Sequence, residues 1–295
     1  MSQLPDHHIL MAIKDLSLAA RLTIDGFMAG INKSKVRGPG LEFSQYRSYQ
    51  PGDDLRWLDW KRYARSDRYY IRESEVETSI SVRLLVDASL SMEHTDGKFT
   101  KLDYARHLAA ALGWLAHGQG DALGLYVFRE GEVYALPARK DAQHLARYFH
   151  QLETIEPGGK MGDPISYKSI FLGEQKRELL IFITDMYERG GEISRLLDLL
   201  VSLRHEVVVF HIMGRNELEW DYRGYNQVED LETGKRVAVS ASQEEEYKVK
   251  MQEWLSAVRM QLLDRQIVYQ LMRMDQPMDA ALRDFLKRRM GAGLV

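Results

Sequence analysis

From residue 80 onward, the spacing of apolar and polar positions alternates between two periods. Short apolar runs predict six β-strands, at 80–86, 122–128, 132–136, 179–184, 206–212 and 267–273. Longer segments with apolar residues three and four positions apart predict five helices, at 102–116, 140–152, 191–203, 243–263 and 278–289. This alternation is typical of an α/β protein with three α/β/α layers, in which a mostly parallel sheet lies between two layers of helices.

The same pattern divides the chain into two parts. Residues 1–79 are predicted to form an N-terminal extension, helical at first and irregular afterwards, without a core of its own. Its first thirty residues have apolar positions at helical spacing, which favours one amphipathic helix broken at Gly26 and Gly30. Residues 80–295 are predicted to form the α/β domain.

A polar insertion at about 214–241 interrupts this domain. It contains Asp230-Leu231-Glu232-Thr233-Gly234, which indicates a hairpin that turns at Thr233-Gly234. The following helix begins with three glutamates. Two lysines follow, each of them four residues after one of these glutamates. We expect a solvated helix face with the ion pairs Glu244–Lys248 and Glu246–Lys250.

The amino-acid composition excludes several kinds of chemistry. The 295 residues carry a formal net charge of −3 and include no cysteine. This composition excludes disulfides and thiol chemistry, fits a reducing cytoplasm, and gives no overall attraction to nucleic acid or to an anionic membrane. The N terminus shows no secretion signal, and no apolar run reaches the length of about 20 residues that spans a bilayer. We therefore expect a cytoplasmic protein.

The most informative motif directly follows the first predicted strand of the α/β domain. Asp87, Ser89 and Ser91 form a D-x-S-x-S run there. Residues at alternating positions of extended backbone project to the same side, so one carboxylate and two hydroxyls would form a cluster of oxygens. Mg²⁺ prefers oxygen ligands and usually keeps several waters, which leaves positions for an external ligand. Serine and aspartate also favour turns and helix N-caps, and that explanation remains open.

The motif and the strand pattern resemble the von Willebrand factor A fold, and the upstream segment resembles the DUF58 family. The segments that carry the second resemblance are Gly40-Leu41-Glu42-Phe43, Arg47, Tyr49, Gly52-Asp53-Asp54, Arg56, Asp59-Trp60, Ala64-Arg65 and Asp230-Leu231-Glu232-Thr233-Gly234. The resemblance covers roughly residues 20–290. It implies a von Willebrand factor A-like domain with a metal-ion-dependent adhesion site (MIDAS) at the carboxyl edge of the sheet.

In that site, the resemblance implies Asp87, Ser89, Ser91 and Asp185 as the residues that bind Mg²⁺ or another divalent cation. The family pattern also supplies a threonine from a Gly-Gly-Thr loop, and this sequence has Lys160 after Gly158-Gly159. A lysine ammonium has no acceptor, so it repels a cation. Two alternatives follow: the metal site is weak, or Lys160 pairs with Asp87 or Asp185 and replaces the metal. Asp163 is a substitute ligand to consider.

The resemblance further implies a partner, because DUF58 proteins are often linked with MoxR-type AAA+ ATPases. We expect a protein-binding adaptor or assembly factor rather than an enzyme. The alternative is a metal-dependent phosphohydrolase with Asp87 as the phosphoryl acceptor. Against it, Ser89 replaces the second acid of a D-x-D motif, and the chain has no G-x-x-x-x-G-K-[ST] loop.

Cations and aromatic residues alternate in residues 56–72, a mixture that can also bind nucleic acid. Acidic residues lie close to these cations in the sequence. We therefore favour a structural network in which Arg56 and Arg65 pair with Asp53, Asp54 and Asp59.

Overall fold

The computed structural model describes residues 7–34, 45–50, 60–66, 68–73, 79–130, 132–172, 177–220 and 227–283. The strands are β1 (Gln45–Ser48), β2 (Tyr70–Glu73), β3 (Ser81–Asp87), β4 (Thr95–Asp96), β5 (Phe99–Thr100), β6 (Ala122–Arg129), β7 (Glu132–Arg139), β8 (Leu179–Thr184), β9 (Glu206–Met213), β10 (Gln227–Glu229), β11 (Arg236–Ala238) and β12 (Val268–Arg273). The helices are α1 (His7–Met11), α2 (Leu16–Ser34), α3 (Trp60–Ser66), α4 (Lys101–Gly118), α5 (Ala142–Glu153), α6 (Lys168–Leu172), α7 (Glu192–Ser202), α8 (Arg215–Glu219) and α9 (Glu244–Asp264). None of these described helices is both long and apolar enough to cross a membrane.

Six strands form the central sheet, in the order β12-β9-β8-β3-β6-β7. Neighbouring strands from β12 to β6 are parallel, and only the edge strand β7 is antiparallel to its neighbour. The middle strands β3 and β8 are buried along nearly their whole length, as expected where helices cover both faces of a sheet. The predicted mostly parallel sheet of an α/β/α protein is confirmed.

Side chains of alternate residues on the strands enter two separate cores. Leu84 of β3 packs in a core with α2, α4, α5 and the helical residues 278–283. Leu85, the next residue, packs in the opposite core with α6, α7 and α9. Alternation along β3 therefore connects the two layers of helices through one sheet.

Two compact units divide the chain by internal contacts, one of residues 1–30 with 80–295 and the other of residues 31–79. The boundary therefore differs from the predicted extension of residues 1–79, because Leu16 and Ile24 are buried in the core of the α/β domain. Burial of this amphipathic segment explains why the first thirty residues belong to the larger unit.

The prediction of a single N-terminal helix is wrong. The chain forms α1 and α2, and α2 continues through Gly26 and Gly30. A carboxylate oxygen of Asp15 accepts the Leu18 N–H at 3.0 Å, which starts α2 after a short break. A glycine costs only about 1 kcal/mol within a helix, so the buried face of α2 outweighs the two interruptions.

The predicted hairpin and the predicted ion pairs of the following helix are present. Strands β10 and β11 pair antiparallel, and Asp230 and Lys235 are joined by a backbone hydrogen bond across the turn. In α9, Lys248 Nζ and Glu244 Oε1 are 2.6 Å apart, and Lys250 and Glu246 form the same contact. The turn of this hairpin, residues 230–234, contributes to the site described below.

The second unit, residues 31–79, contains the antiparallel pair β1 and β2 together with α3. The rings of Tyr63 and Tyr69 stack with centroids 4.4 Å apart. The predicted pairing of Arg56 and Arg65 with three aspartates lies outside the described residues, because Asp53, Asp54, Arg56 and Asp59 are not among them.

Candidate functional site

Two neighbouring strands end at the same edge of the sheet and bring the predicted site residues together. Strand β3 ends at Asp87, and β8 ends at Thr184, with Asp185 directly after it. Val86 of β3 is paired with Ile183 of β8, so the two aspartates follow adjacent strands at nearly the same level. The carboxyl edge of an open α/β sheet is where such proteins bind ligands.

The four predicted site residues form one continuous chain of hydrogen bonds. Asp87 Oδ1 accepts the backbone N–H of Ser89 at 3.0 Å and its hydroxyl at 2.7 Å. The hydroxyls of Ser89 and Ser91 are 2.9 Å apart, and Ser91 Oγ donates to Asp185 Oδ1 at 3.3 Å. All four residues are buried. The D-x-S-x-S pattern thus produces the oxygen cluster that its spacing predicts.

Thr184 completes the environment of Asp87 from the neighbouring strand. Its hydroxyl donates to Asp87 Oδ2 at 2.7 Å, so both oxygens of this carboxylate accept hydrogen bonds. Burial and the charge of Asp185 nevertheless raise the pKa of Asp87 to about 6. These hydroxyls therefore do not fully replace the water that the carboxylate loses, and the Asp87 side would be stabilised by a cation.

The Gly158-Gly159 loop lies against the motif, as the resemblance implies, but Lys160 does not enter the site. The Gly158 N–H donates to Ala88 O at 2.8 Å, and the Leu90 N–H donates to Gly159 O at 2.8 Å. Lys160 is exposed, and within the described ranges it forms no ion pair with Asp87 or Asp185. The predicted pairing of Lys160 with one of these aspartates is therefore wrong, because the Lys160 side chain is exposed to solvent.

A different lysine supplies a cation to the site. Lys101, the first residue of α4, places its Nζ 2.9 Å from Asp185 Oδ2 and 2.8 Å from Glu217 Oε1 of α8. The Lys101 side chain is only 4% exposed. Burial alone would raise the pKa of Asp185, but the Lys101 ammonium holds it below its usual value. Asp185 therefore stays ionised to a lower pH than Asp87 does.

Sequence reasoning missed Lys101 and Glu217, although one signal was available. A cation at the start of a helix faces the positive end of the helix dipole and is unfavourable unless an anion compensates it. Thr100 and Asp103 form a capping box around this helix start, which marks Lys101 as its first residue. Glu217 carried no comparable signal, because it meets Lys101 only through the fold, across 116 positions of the chain.

An open groove of about 680 Å³ adjoins the cluster on the side of α9. Its polar lining residues include Ser91, Lys101, Asp185 and Glu217. Its apolar walls come from the hairpin and α9, through Val228, Leu231, Val237, Met251, Trp254 and Val258. A partner that reaches the buried carboxylates can therefore also bury apolar surface beside them.

The turn of the hairpin is fixed directly above the end of β8. Tyr187 donates its backbone N–H to Asp185 Oδ1 at 3.1 Å and its hydroxyl to Asp230 Oδ2 at 2.7 Å, and Arg189 also pairs with Asp230. Burial and the charges of Asp185 and Asp87 raise the pKa of Glu232 to about 7. The turn therefore adds a further acidic group close to the site, which the sequence analysis did not assign.

The donor set suits a small, hard divalent cation on the Asp87 side. Asp87, Ser89 and Ser91 supply one carboxylate and two hydroxyls, all of them oxygen ligands. No three histidine, cysteine or acidic side chains of the described residues are grouped so as to hold a metal, so the hydroxyls would have to be ligands. Asp163, the substitute ligand, is exposed.

Fold and site together define an α/β protein with a hydroxyl and carboxylate cluster at the carboxyl edge of its sheet. The family model "Protein of unknown function DUF58" matches residues 45–257. The chain belongs to the DUF58 family, so the predicted membership is confirmed. Of the motif that predicted it, residues 40–43, 52–56 and 59 lie outside the described ranges.

Sequence and structure comparisons give distant relatives. "Uncharacterized protein Rv1480" from Mycobacterium tuberculosis is 28% identical over 233 residues, which is 78% of this chain and 73% of that protein. The structure is similar to BatB from Bacteroides thetaiotaomicron (18% identity, 72% of this chain, 100% of that chain, TM-score 0.46). It is also similar to a von Willebrand factor type A protein from Catenulispora acidiphila (14% identity, 72% of this chain, 43% of that chain, TM-score 0.37).

Proposed function

We propose that this DUF58 protein is a cytoplasmic protein-binding adaptor or assembly factor that works with a MoxR-type AAA+ ATPase. The partner class comes from the family resemblance. One observation of this chain supports the binding role most. Asp87, Ser89, Ser91 and Asp185 form a hydrogen-bonded cluster, and two of its members, Ser91 and Asp185, line an open groove that also has apolar lining residues.

The proposed contact uses a divalent cation such as Mg²⁺. Asp87, Ser89 and Ser91 would hold the cation, and Asp185 would contribute through water. The cation supplies a positive centre that can accept an aspartate or glutamate of the partner. The chain's own residues orient the site, because Thr184 fixes Asp87 and the Gly158-Gly159 loop fixes the motif backbone.

A pull-down from the native cytosol tests this proposal. Wild-type protein and Asp87→Ala are each used with Mg²⁺ and with EDTA, and bound proteins are identified by mass spectrometry. We expect an AAA+ ATPase to be captured by wild-type protein with Mg²⁺ and lost in the other three conditions. Asp198→Ala removes an exposed carboxylate on α7 and should capture the ATPase normally. Circular dichroism confirms that the variants are folded.

Two results would overturn the proposal. Capture of no AAA+ ATPase would remove the proposed partner, and capture independent of both Mg²⁺ and Asp87 would remove the metal-bridged contact. Hydrolysis of p-nitrophenyl phosphate that requires Mg²⁺ and Asp87 would instead support the phosphohydrolase alternative. The sequence does not favour that alternative, because Ser89 replaces the second acid of a D-x-D motif.

A further inference from the structure

We propose that Lys101 is an internal counter-ion that competes with a divalent cation at the Asp87–Ser89–Ser91 site and so sets its affinity for metal. The proposal rests on the proposed metal site and concerns how that site is regulated. It follows from the positions of three carboxylates, those of Asp87, Asp185 and Glu217, relative to the Lys101 ammonium.

The ammonium of Lys101 is bound to one end of the hydrogen-bonded chain that the metal would use. Asp185 Oδ2 is 2.9 Å from Lys101 Nζ, while Asp185 Oδ1 accepts the Ser91 hydroxyl at 3.3 Å. One carboxylate therefore separates the ammonium from a predicted metal ligand. Both groups are buried, so their charges are poorly screened by water.

The charges are distributed unevenly along this series of hydrogen-bonded side chains. Lys101 forms ion pairs with Asp185 and Glu217, whereas no ion pair to Asp87 is found within the described ranges. The negative charge of Asp87 attracts a cation, and the nearby ammonium repels it. Because repulsion between nearby buried cations is poorly screened, Lys101 should lower the affinity for a divalent cation at least about tenfold.

Glu217 gives the ammonium its second anchor. Its Oε1 lies 2.8 Å from Lys101 Nζ, and its Oε2 accepts the Gly214 N–H at 2.8 Å. Lys101 therefore ties the start of α4 to the start of α8 as well as to Asp185. A purely structural role for Lys101 would consist of this tie alone. The experiment must separate the two roles.

Mn²⁺ binding, followed by electron paramagnetic resonance of the free ion, separates them. Lys101→Gln keeps a donor toward the carboxylates but removes the charge, and Lys101→Met removes both. Lys98→Met removes the charge of an exposed lysine three residues earlier and serves as the control. We expect Lys101→Gln to bind Mn²⁺ at least about tenfold more tightly than wild type and Lys98→Met to bind as wild type. A further change, Asp87→Asn, should abolish the gain.

Thermal unfolding gives a second readout. Without metal, Lys101→Met and Lys101→Gln should unfold at a lower temperature than wild type, because Asp185 and Glu217 lose their counter-ion. Mn²⁺ should raise the unfolding temperature of both variants by more than it raises that of wild type. If Lys101 has only a structural role, Mn²⁺ should not raise the unfolding temperature of either variant.

The outcomes distinguish this inference from the proposed function. Tighter Mn²⁺ binding by Lys101→Gln supports the inference, even if wild type binds no Mn²⁺ and the metal-bridged contact fails. Equal binding by wild type and Lys101→Gln, sensitive to Asp87→Asn in both, overturns the inference and leaves the proposed metal site intact. Absence of binding in every variant, without recovery of stability by Mn²⁺, overturns both.

Discussion

Two buried ion pairs lie toward opposite ends of β3 and β8, and their surroundings differ. Toward the amino end, Arg83 of β3 pairs with Glu178, the residue before β8, at 2.9 Å. The same guanidinium donates to the Tyr126 hydroxyl at 2.6 Å and lies over the Tyr126 ring. At the carboxyl end, Lys101 pairs with Asp185 and with Glu217.

The difference shows which buried charges are suited to binding. Arg83 and Glu178 are almost completely enclosed, and a planar guanidinium in a fixed geometry is typical of a structural pair. Lys101 and Asp185 instead line an open groove and adjoin a row of hydroxyls. A lysine ammonium is a point charge that another cation can replace. The enclosed pair is therefore placed for a structural role, and the pair that lines the groove is placed for the proposed binding of a ligand.

The largest effect is expected from breaking the enclosed pair. Arg83→Met leaves Glu178 buried without its counter-ion, which should lower the free energy of unfolding by about 3–5 kcal/mol. Urea denaturation measures this loss. The double variant Arg83→Met with Glu178→Leu should recover most of it, because two apolar side chains then replace the pair.

Divalent cations sharpen this comparison. Mn²⁺ should restore no stability to Arg83→Met, since an enclosed site admits no ion, whereas it should do so for Lys101→Met. Equal recovery in the two variants would show that the ends of the sheet do not differ in the proposed way. A loss of less than about 1 kcal/mol in Arg83→Met would show the same, because exposed ion pairs typically contribute no more than this to stability.

A pH-dependent effect of intermediate size is expected from Asp87. Its pKa is raised to about 6, so the folded state binds the proton more tightly than the unfolded state does. The contribution of Asp87 to stability is thus fully present below the unfolded pKa and is lost as the pH rises through 6. The loss is at most about 3 kcal/mol, and Asp87→Asn removes it.

Chemical denaturation at several pH values in EDTA checks this sign. Relative to Asp87→Asn, wild type should become progressively less stable between about pH 4 and 6, with no further change above that range. Asp185 should behave oppositely, because Lys101 lowers its pKa, so its contribution is lost only as the pH falls. Parallel curves for wild type and Asp87→Asn would contradict the raised pKa of Asp87.

The sequence predicts the sheet and the first half of the site because both depend on local patterns. Apolar runs define the strands, and the D-x-S-x-S spacing places Asp87, Ser89 and Ser91 at one strand end. The N-terminal helix break depends on a cap at Asp15 that competes with continuous apolar periodicity, and periodicity alone does not reveal it.

The cation of the site could not be identified in the same way. Lys160 stands where the family pattern expects a metal ligand, whereas Lys101 reaches Asp185 only because α4 begins beside the end of β8. Pairings across 84 and 116 positions depend on the packing of the finished fold, which a single sequence does not display. The electrostatics of the site therefore required the structure, although its cluster of hydroxyl and carboxylate groups did not.

The smallest effect is expected in the loop that fixes the carboxyl-edge motif. Gly159 has a φ of +57°, and a Cβ added there would overlap the Glu130 side chain. Gly120 has a φ of +78° with open space around it, so Gly120→Ala measures the backbone cost alone, about 1–2 kcal/mol. Gly159→Ala should cost about 1 kcal/mol more in urea denaturation.

Gly158→Ala should be tolerated, because Gly158 has no positive φ and its nearest neighbour, Arg129 Cδ, is 3.9 Å away. If Gly159→Ala costs no more than Gly120→Ala, the loop can shift away from Glu130, and the motif backbone at the carboxyl end is held less rigidly than the enclosed pair at the amino end.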